Sequence, residues 1–402
     1  MPIKPFLGGE IKDGITPDHG KKPWACYGQN WEDDMTQTFN ITRRVALGLA
    51  AGALALGLAG PAAAEADFSG KTIEWIIPFS AGGGSDTWAR FNAPLLSKYL
   101  PGNPVVVVVN EPGGGSTKGT NLFAARAKPD GLTILGTSGS TQFPYLLGDP
   151  RVRYEYKDWK IAMAGPTGGV VYTTPSLGLT GPQDIAILKD KELVYASQGA
   201  TSLDLVPLLG FRLMGFNVQH VFGFKGRGDG RLAFERGEVN IDYQTSSAYL
   251  KSVQPLVDAG QAVPLFSWGV LNEAGEVVRD PTFPDLPSFV EAYETLTGQK
   301  PSGADYDAYF AFFTAGFPAQ KMVFLPKDTP DDIVAAYQKA FEDMKADPDY
   351  QANAEAVLGT YEQVTGPLAQ ALFEKGTTIS PELRTQVATM LGAEYGVKLG
   401  ED

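Results

Sequence analysis

From Lys71 onward, short unbroken apolar runs alternate with stretches whose apolar residues recur at helical spacing. The run Thr72-Ile73-Glu74-Trp75-Ile76-Ile77-Pro78-Phe79 predicts a buried strand, residues 81–85 a turn, and 86–99 a helix carrying Trp88, Phe91, Leu95 and Leu96 on its apolar face. Five consecutive valines at 105–109 lack alternation, which suits a strand covered on both faces. A Gly-rich turn at 110–115, a helix over 117–127, a turn at Pro129-Asp130-Gly131 and a strand over 132–136 complete a β-α-β-α-β series, the mark of a mostly parallel sheet.

A second series follows, with strands at 170–174, 193–197, 218–222 and 240–243 and helices at 202–214 and 228–236. The apolar run 263–268 is expected to return the chain to the first lobe. Residues 271–302 read as polar and Pro-bearing with a helix near 288–296, and the amphipathic stretches 331–346, 350–358 and 381–391 as helices packed on the first lobe. The expected domains are therefore lobe 1 over 67–168, lobe 2 over 169–267, and a return to lobe 1 with C-terminal helices over 268–402. Two α/β lobes joined by crossing connections leave a cleft between them, a usual place for a ligand.

Upstream, residues 45–64 carry no charge and are mostly Ala, Gly and Leu. Thr42-Arg43-Arg44 precedes them, and Pro61-Ala62-Ala63-Ala64-Glu65-Ala66 follows with small-x-small sites ending at Ala64 and Ala66. A basic segment, a mildly apolar one and a small-residue site in that order predict an export signal over 35–66, twin-arginine-like, cleaved near Ala64 or Ala66 to release a periplasmic protein. A retained membrane anchor is the alternative reading. Translation is expected to start at Met35, which makes residues 1–34 an N-terminal extension.

Composition narrows the chemistry. The 402 residues include 33 Lys+Arg against 46 Asp+Glu, a net charge of −13, which argues against nucleic acid or an anionic membrane as a partner. A single cysteine, Cys26, and two histidines, His19 and His220, exclude a disulfide framework and a Cys/His zinc site; no metal and no cofactor is expected. His220 sits between apolar residues of a strand and reads as structural. Without a G-x-S-x-G elbow or a placed base, no enzyme is expected.

The candidate chemistry lies at strand ends. Pro78-Phe79-Ser80-Ala81-Gly82-Gly83-Gly84-Ser85-Asp86 closes a strand and opens a helix, so its glycines let a ligand approach the backbone while unpaired amides at the positive helix end face an anion. Asp86 is either the N-cap or a ligand contact. Gly113-Gly114-Gly115-Ser116-Thr117-Lys118-Gly119 has the wrong order for a phosphate loop and reads as a packing turn. Thr137-Ser138-Gly139-Ser140-Thr141 and Ser197-Gln198-Gly199-Ala200-Thr201-Ser202 are further strand-end turns with hydroxyl and amide donors suited to a carboxylate.

Three linked motifs now support a resemblance: Pro78-Phe79-x-Ala81-Gly82-Gly83-Gly84-x-Asp86-x-x-Ala89-Arg90, Val107-x-Val109-Asn110-x-Pro112-Gly113-x-Gly115, and Ala127-x-Pro129-Asp130-Gly131-x-Thr133-x-Leu135. With Phe224-x-Gly226, Gly237-x-Val239-Asn240 and the proline segments at 283–288 and 325–330, the chain resembles the Bug (TctC-type) periplasmic solute-binding proteins of tripartite tricarboxylate transporters over about 68–391. The resemblance implies a periplasmic-binding-protein-like fold of type II that closes two α/β lobes over a small organic carboxylate and serves membrane permease subunits. A monomer is expected, and the alternatives are a sensor component for a signalling receptor or an enzyme on the same two-lobed fold. It places Phe79, Ser80, Gly83, Gly84, Ser85 and Asp86 against the ligand from one lobe, with Ser138 and Ser140 at the rim. From the other lobe it implies Ser197, Gly199, Thr201, Ser202 and Asp204. Phe224 and Arg227 depart from the family pattern, and Arg227 is expected to add a direct charge contact.

Overall fold

The computed structural model describes residues 66–400. The expected extension over 1–34 and the export signal over 35–66 lie outside the described residues, Ala66 excepted.

The alternation of buried runs and amphipathic stretches becomes β1 (Thr72–Ile77), α1 (Gly84–Tyr99), β2 (Val105–Asn110), α2 (Thr117–Arg126), β3 (Thr133–Thr137), α3 (Gly139–Leu146) and β4 (Lys160–Gly165). The second series is β5 (Gly169–Thr173), β6 (Glu192–Ser197), α4 (Leu205–Met214), β7 (Asn217–Phe222), α5 (Arg227–Glu235), β8 (Ile241–Thr245), the short helices α6 (Ser246–Ala248) and α7 (Gln254–Asp258), and β9 (Val263–Ser267). A hairpin of β10 (Val270–Leu271) and β11 (Val277–Val278) leads to α8 (Phe289–Thr297), α9 (Ala304–Gly316), β12 (Lys321–Leu325), α10 (Asp331–Asp343), α11 (Pro348–Leu358), α12 (Gly366–Gly376) and α13 (Pro381–Tyr395).

The strands form two five-stranded sheets, ordered β2-β1-β3-β12-β4 and β7-β6-β8-β5-β9. In each, three parallel strands are followed by an antiparallel one, β12 beside β3 or β5 beside β8. The result is two α/β lobes of the same topology, the type II binding-protein arrangement. Parallel strands joined through helices bring the C-terminal ends of β1, β3, β6 and β8 to one side, where crevices form at topological switch points. Lobe 1 is anchored by Trp75 against Trp88, ring centroids 5.1 Å apart, beneath Tyr337 and Phe341 of α10. Its other face holds Phe123, Tyr156, Trp159 and Phe373. Lobe 2 packs α4, α8 and α9 over Tyr195, Tyr243 and Trp268.

Several expectations change. The valine run is an edge strand with Val105 60% and Val107 42% exposed, because only Val106 and Val108 face the core; an unbroken apolar run does not itself reveal an edge position. The run at 263–268 does not return the chain to lobe 1, since β9 pairs antiparallel with β5 at the edge of the second sheet. Helices α8 and α9 remain in the lobe 2 core, and it is β12 that rejoins the first sheet. Of the expected C-terminal helices, α10 and α11 cover lobe 1, joined there by the unanticipated α12, whereas α13 buries Val387 and Leu391 in the lobe 2 cluster. Strands β4 and β12 lie outside the expected elements. The turn at 113–119 is a packing turn: a Cβ on Gly119 would stand 2.3 Å from the Glu111 carbonyl oxygen.

Candidate functional site

The turn leaving β1 passes through Gly82 at φ 78°, a left-handed conformation that glycine adopts freely, and α1 starts at Gly84 with Gly83 as its N-cap. The amides of the first turn have no partner within the helix and lie at its positive end. Asp86 is in that first turn and is neither the N-cap nor turned to the cleft. Its carboxylate accepts from the Gly82 amide at 2.9 Å, Arg90 Nε at 2.9 Å and Asn110 Nδ2 at 3.0 Å, tying turn, helix and the end of β2 together. Ser138 caps α3 by accepting from the Ser140 amide at 3.2 Å, and Ser140 Oγ in turn accepts from the Leu203 amide of lobe 2 at 3.0 Å.

On lobe 2, Asp204 accepts from the Gln198 amide at 2.6 Å and from Arg227 Nη1 at 3.2 Å. Arg227, the first residue of α5, runs inward between the rings of Tyr195 and Tyr243, at 5.0 and 4.8 Å. Its guanidinium donates to the Ala196 and Tyr243 carbonyls and to Asp204 and Asp242, so every N–H direction is engaged within the lobe. Burial lowers its pKa, but the Asp204 carboxylate together with the Tyr195, Tyr243 and Tyr172 hydroxyls raises it above the ordinary value. The expected charge contact with a ligand is thus corrected: Arg227 is a buried structural cation that fixes Asp204 and, through it, the Gln198 turn.

The lobes meet around a cavity of about 20 Å³, enough for about one water. Of the residues expected to contact ligand, Phe79, Gly83, Gly84, Ser85, Ser138, Ser140 and Arg227 line it. Gln198, Leu203, Thr245, Gln320 and Lys321, none of them anticipated as ligand contacts, complete the wall, and no carboxylate does. Gly199, Thr201 and Phe224 instead line a neighbouring cavity of about 500 Å³ with Asp149, Arg151 and Tyr395. There Thr201 Oγ1 bonds Asp149 at 2.8 Å, and although burial pushes the Asp149 carboxyl up, its bonds to Arg151 and Thr201 hold it below the ordinary range. Ser80, Asp86, Ser197, Ser202 and Asp204 line neither space. Ser197 Oγ accepts from the Gly199 amide and Ser202 Oγ donates to the Gly199 carbonyl, so both shape the turn rather than the wall.

Lys321 opens β12 and is 3% exposed. Its ammonium donates to Ser85 Oγ at 2.9 Å and, among the described residues, forms no ion pair; burial lowers its pKa to about 7. A lysine at the head of the otherwise apolar segment Lys321-Met322-Val323-Phe324-Leu325 was the available signal, and Tyr243-Gln244-Thr245-Ser246-Ser247 repeats the hydroxyl-rich strand end seen elsewhere. The closed approach depends on glycine. A Cβ on Gly84 would lie 1.8 Å from Thr245 Oγ1, and one on Gly228 2.6 Å from the Ala81 carbonyl oxygen and 2.9 Å from the Gly83 nitrogen. The Ser80 amide donates to the Lys225 carbonyl at 3.3 Å across the same junction.

His220 is flanked by Tyr195, Phe222 and Tyr395, and burial drops its pKa to about 4, in keeping with a structural strand residue. Among the described residues no group of three or more His, Cys, Asp or Glu is arranged to hold a metal, and no helix is long and apolar enough to cross a membrane.

The model of the tripartite tricarboxylate transporter family receptor (TctC) matches residues 89–362. A UPF0065 protein of Bordetella pertussis is 30% identical over 315 residues, 75% of this chain and 83% of that one. In structure the chain is similar to the periplasmic binding protein BugD, with a TM-score of 0.63 and 21% identity over 83% of this chain and all (100%) of the other. It is also similar to MatC of Rhodopseudomonas palustris with bound malate, with a TM-score of 0.59 and 20% identity over 80% of this chain and 100% of that one.

Proposed function

The chain belongs to the tripartite tricarboxylate transporter receptor family, and from that premise we propose that it is a periplasmic receptor that captures a small organic carboxylate between its lobes and delivers it to membrane permease subunits. The observation that carries this reading is the lining of the interlobe cavity: helix-start amides, the Ser85, Ser138 and Ser140 hydroxyls and one lysine, with no carboxylate, in a protein of net charge −13. An acidic protein holds an anion by donors aimed locally, and amides at a helix start do this without a counter-charge. MatC, a protein of the same fold, holds malate.

A space that takes about one water does not admit a dicarboxylate, so loading requires the lobes to part and close again about the connections between the sheets. Gly83, Gly84, Ser85, Ser138 and Ser140 then meet the ligand from lobe 1, and Gln198 and Thr245 from lobe 2. Gly226 and Gly228, at the start of α5, let lobe 2 come down on the 80–83 turn backbone to backbone. The geometry with both lobes closed on one solute is what a permease would read.

The test is a thermal-shift screen of the purified protein against di- and tricarboxylates, neutral sugars and cationic amino acids. A true ligand at about 100 times its Kd stabilises the protein by about 2.7 kcal/mol, a readily measured rise in Tm. Carboxylates alone should give it. Stabilisation by neutral or cationic solutes alone would overturn the reading.

A further inference from the structure

We propose that Lys321 is the specificity-determining cation of the cleft, forming a direct ion pair with one carboxylate of the bound ligand while Ser85 and the first amides of α1 hold the same group. This rests on the carboxylate-receptor reading above and adds to it the residue that distinguishes an anionic solute from a neutral one of the same shape.

The geometry carries it. Lys321 and Ser85 are 236 positions apart in sequence, yet β12, lying between β3 and β4, brings the ammonium to 2.9 Å from Ser85 Oγ at the start of α1. A buried ammonium has three N–H directions, and here the hydroxyl takes one. Buried charges in proteins are otherwise paired, and this one has no carboxylate partner among the described residues. The same cavity holds other buried polar atoms with no hydrogen-bond partner, Gln198 Oε1, Thr245 Oγ1 and Gln320 Oε1, contributed by both lobes. Polar groups left unsatisfied in one enclosed space mark a place where a polar ligand completes the network. Arg227, the other ionisable group in the wall, is engaged by Asp204 and Asp242 and has no direction left for a ligand.

Among ionisable groups near Lys321, Asp86 beside Ser85 on α1 is bound to Gly82, Arg90 and Asn110, and Tyr156 behind β3 shares its hydroxyl with Thr137. Neither supplies an anion to the ammonium. The ligand does, which means that binding above neutral pH draws a proton onto Lys321 and that affinity falls as the solution becomes alkaline. The ligand class is a small organic acid with an ionised carboxylate and at least one further hydrogen-bonding group for Gln198, Thr245 and Gln320. Esters and amides of the same acid are excluded.

The experiment is calorimetric titration of the purified protein with malate, adipate and a panel of related carboxylates, against Lys321→Gln and Lys321→Arg. For whichever carboxylate binds the wild type, Lys321→Gln should weaken it by about 100-fold and Lys321→Arg should restore part of the loss. Titration of the wild type at pH 8 in buffers of different ionisation enthalpy should show uptake of close to one proton, a readout that needs no variant. Wild-type binding with no proton uptake and a Lys321→Gln affinity within threefold would overturn the role of Lys321 and leave the receptor reading intact. Failure of every carboxylate to bind the wild type would overturn the receptor reading, and the proposal with it.

Discussion

Replacing Arg227 with methionine separates its structural role from the ligand contact that its charge suggests. Methionine follows the same path between Tyr195 and Tyr243 but supplies none of the five donors, leaving Asp204 and Asp242 buried and facing one another's field. Both carboxylates keep lesser partners, the Gln198 amide for Asp204 and Tyr172 Oη with Gln244 Nε2 for Asp242. Removing one member of a buried, hydrogen-bonded ion pair typically costs about 3–5 kcal/mol. For a chain of this size, with an unfolding entropy of about 2.1 cal/mol/K per residue, that is a fall in Tm of roughly 4–7 °C. Urea or thermal unfolding followed by circular dichroism at pH 7 measures it. Adding Asp204→Asn and Asp242→Asn to the variant should recover much of the loss, because the uncompensated charges disappear with them. A Tm within 2 °C of wild type together with lost carboxylate binding would refute the reasoning and return Arg227 to the ligand.

Two further predictions concern the cleft. Lys321→Met should stabilise the unliganded protein by up to about 5 kcal/mol at pH 6, since burial lowers the lysine pKa from 10.5 to about 7 and the folded state disfavours the charge. The sign follows from linkage: between pH 7 and 10.5 the unfolded chain binds more protons, so wild-type stability rises over that window and the gap to the variant closes, as urea melts at pH 6 and 10 would show. Gly228→Ala should weaken ligand binding at least tenfold while moving the unliganded Tm little, because the new methyl meets the Ala81 carbonyl only when the lobes close; an unchanged affinity by calorimetry would mean that the lobes do not seal at this junction.

The first half of each lobe was legible because its signals are local. Buried β-branched and aromatic runs ending in Gly- and Ser-rich turns specify strand, turn and helix within a dozen residues, and the Phe79–Ser85 and Ser138–Ser140 turns follow directly from that order. Asp86 and Asp204 were read as ligand contacts because a polar residue at a strand end carries no mark of where its hydrogen bonds go. In the folded chain Asp86 holds its own turn, and Asp204 accepts from the Gln198 amide and Arg227.

The sequence by itself determined the alternating α/β elements, the two lobes and the excess of amide and hydroxyl donors over charge at the strand ends. The tertiary structure decided which of those ends share a cavity. Arg227 and Lys321 show the physical reason. The sequence presents both as cations near strand termini, and only long-range packing gives Arg227 two buried carboxylates while giving Lys321 a serine hydroxyl and no counter-ion. A charge is defined by its partners, and those partners lie 15 and 23 positions away for one and 236 for the other.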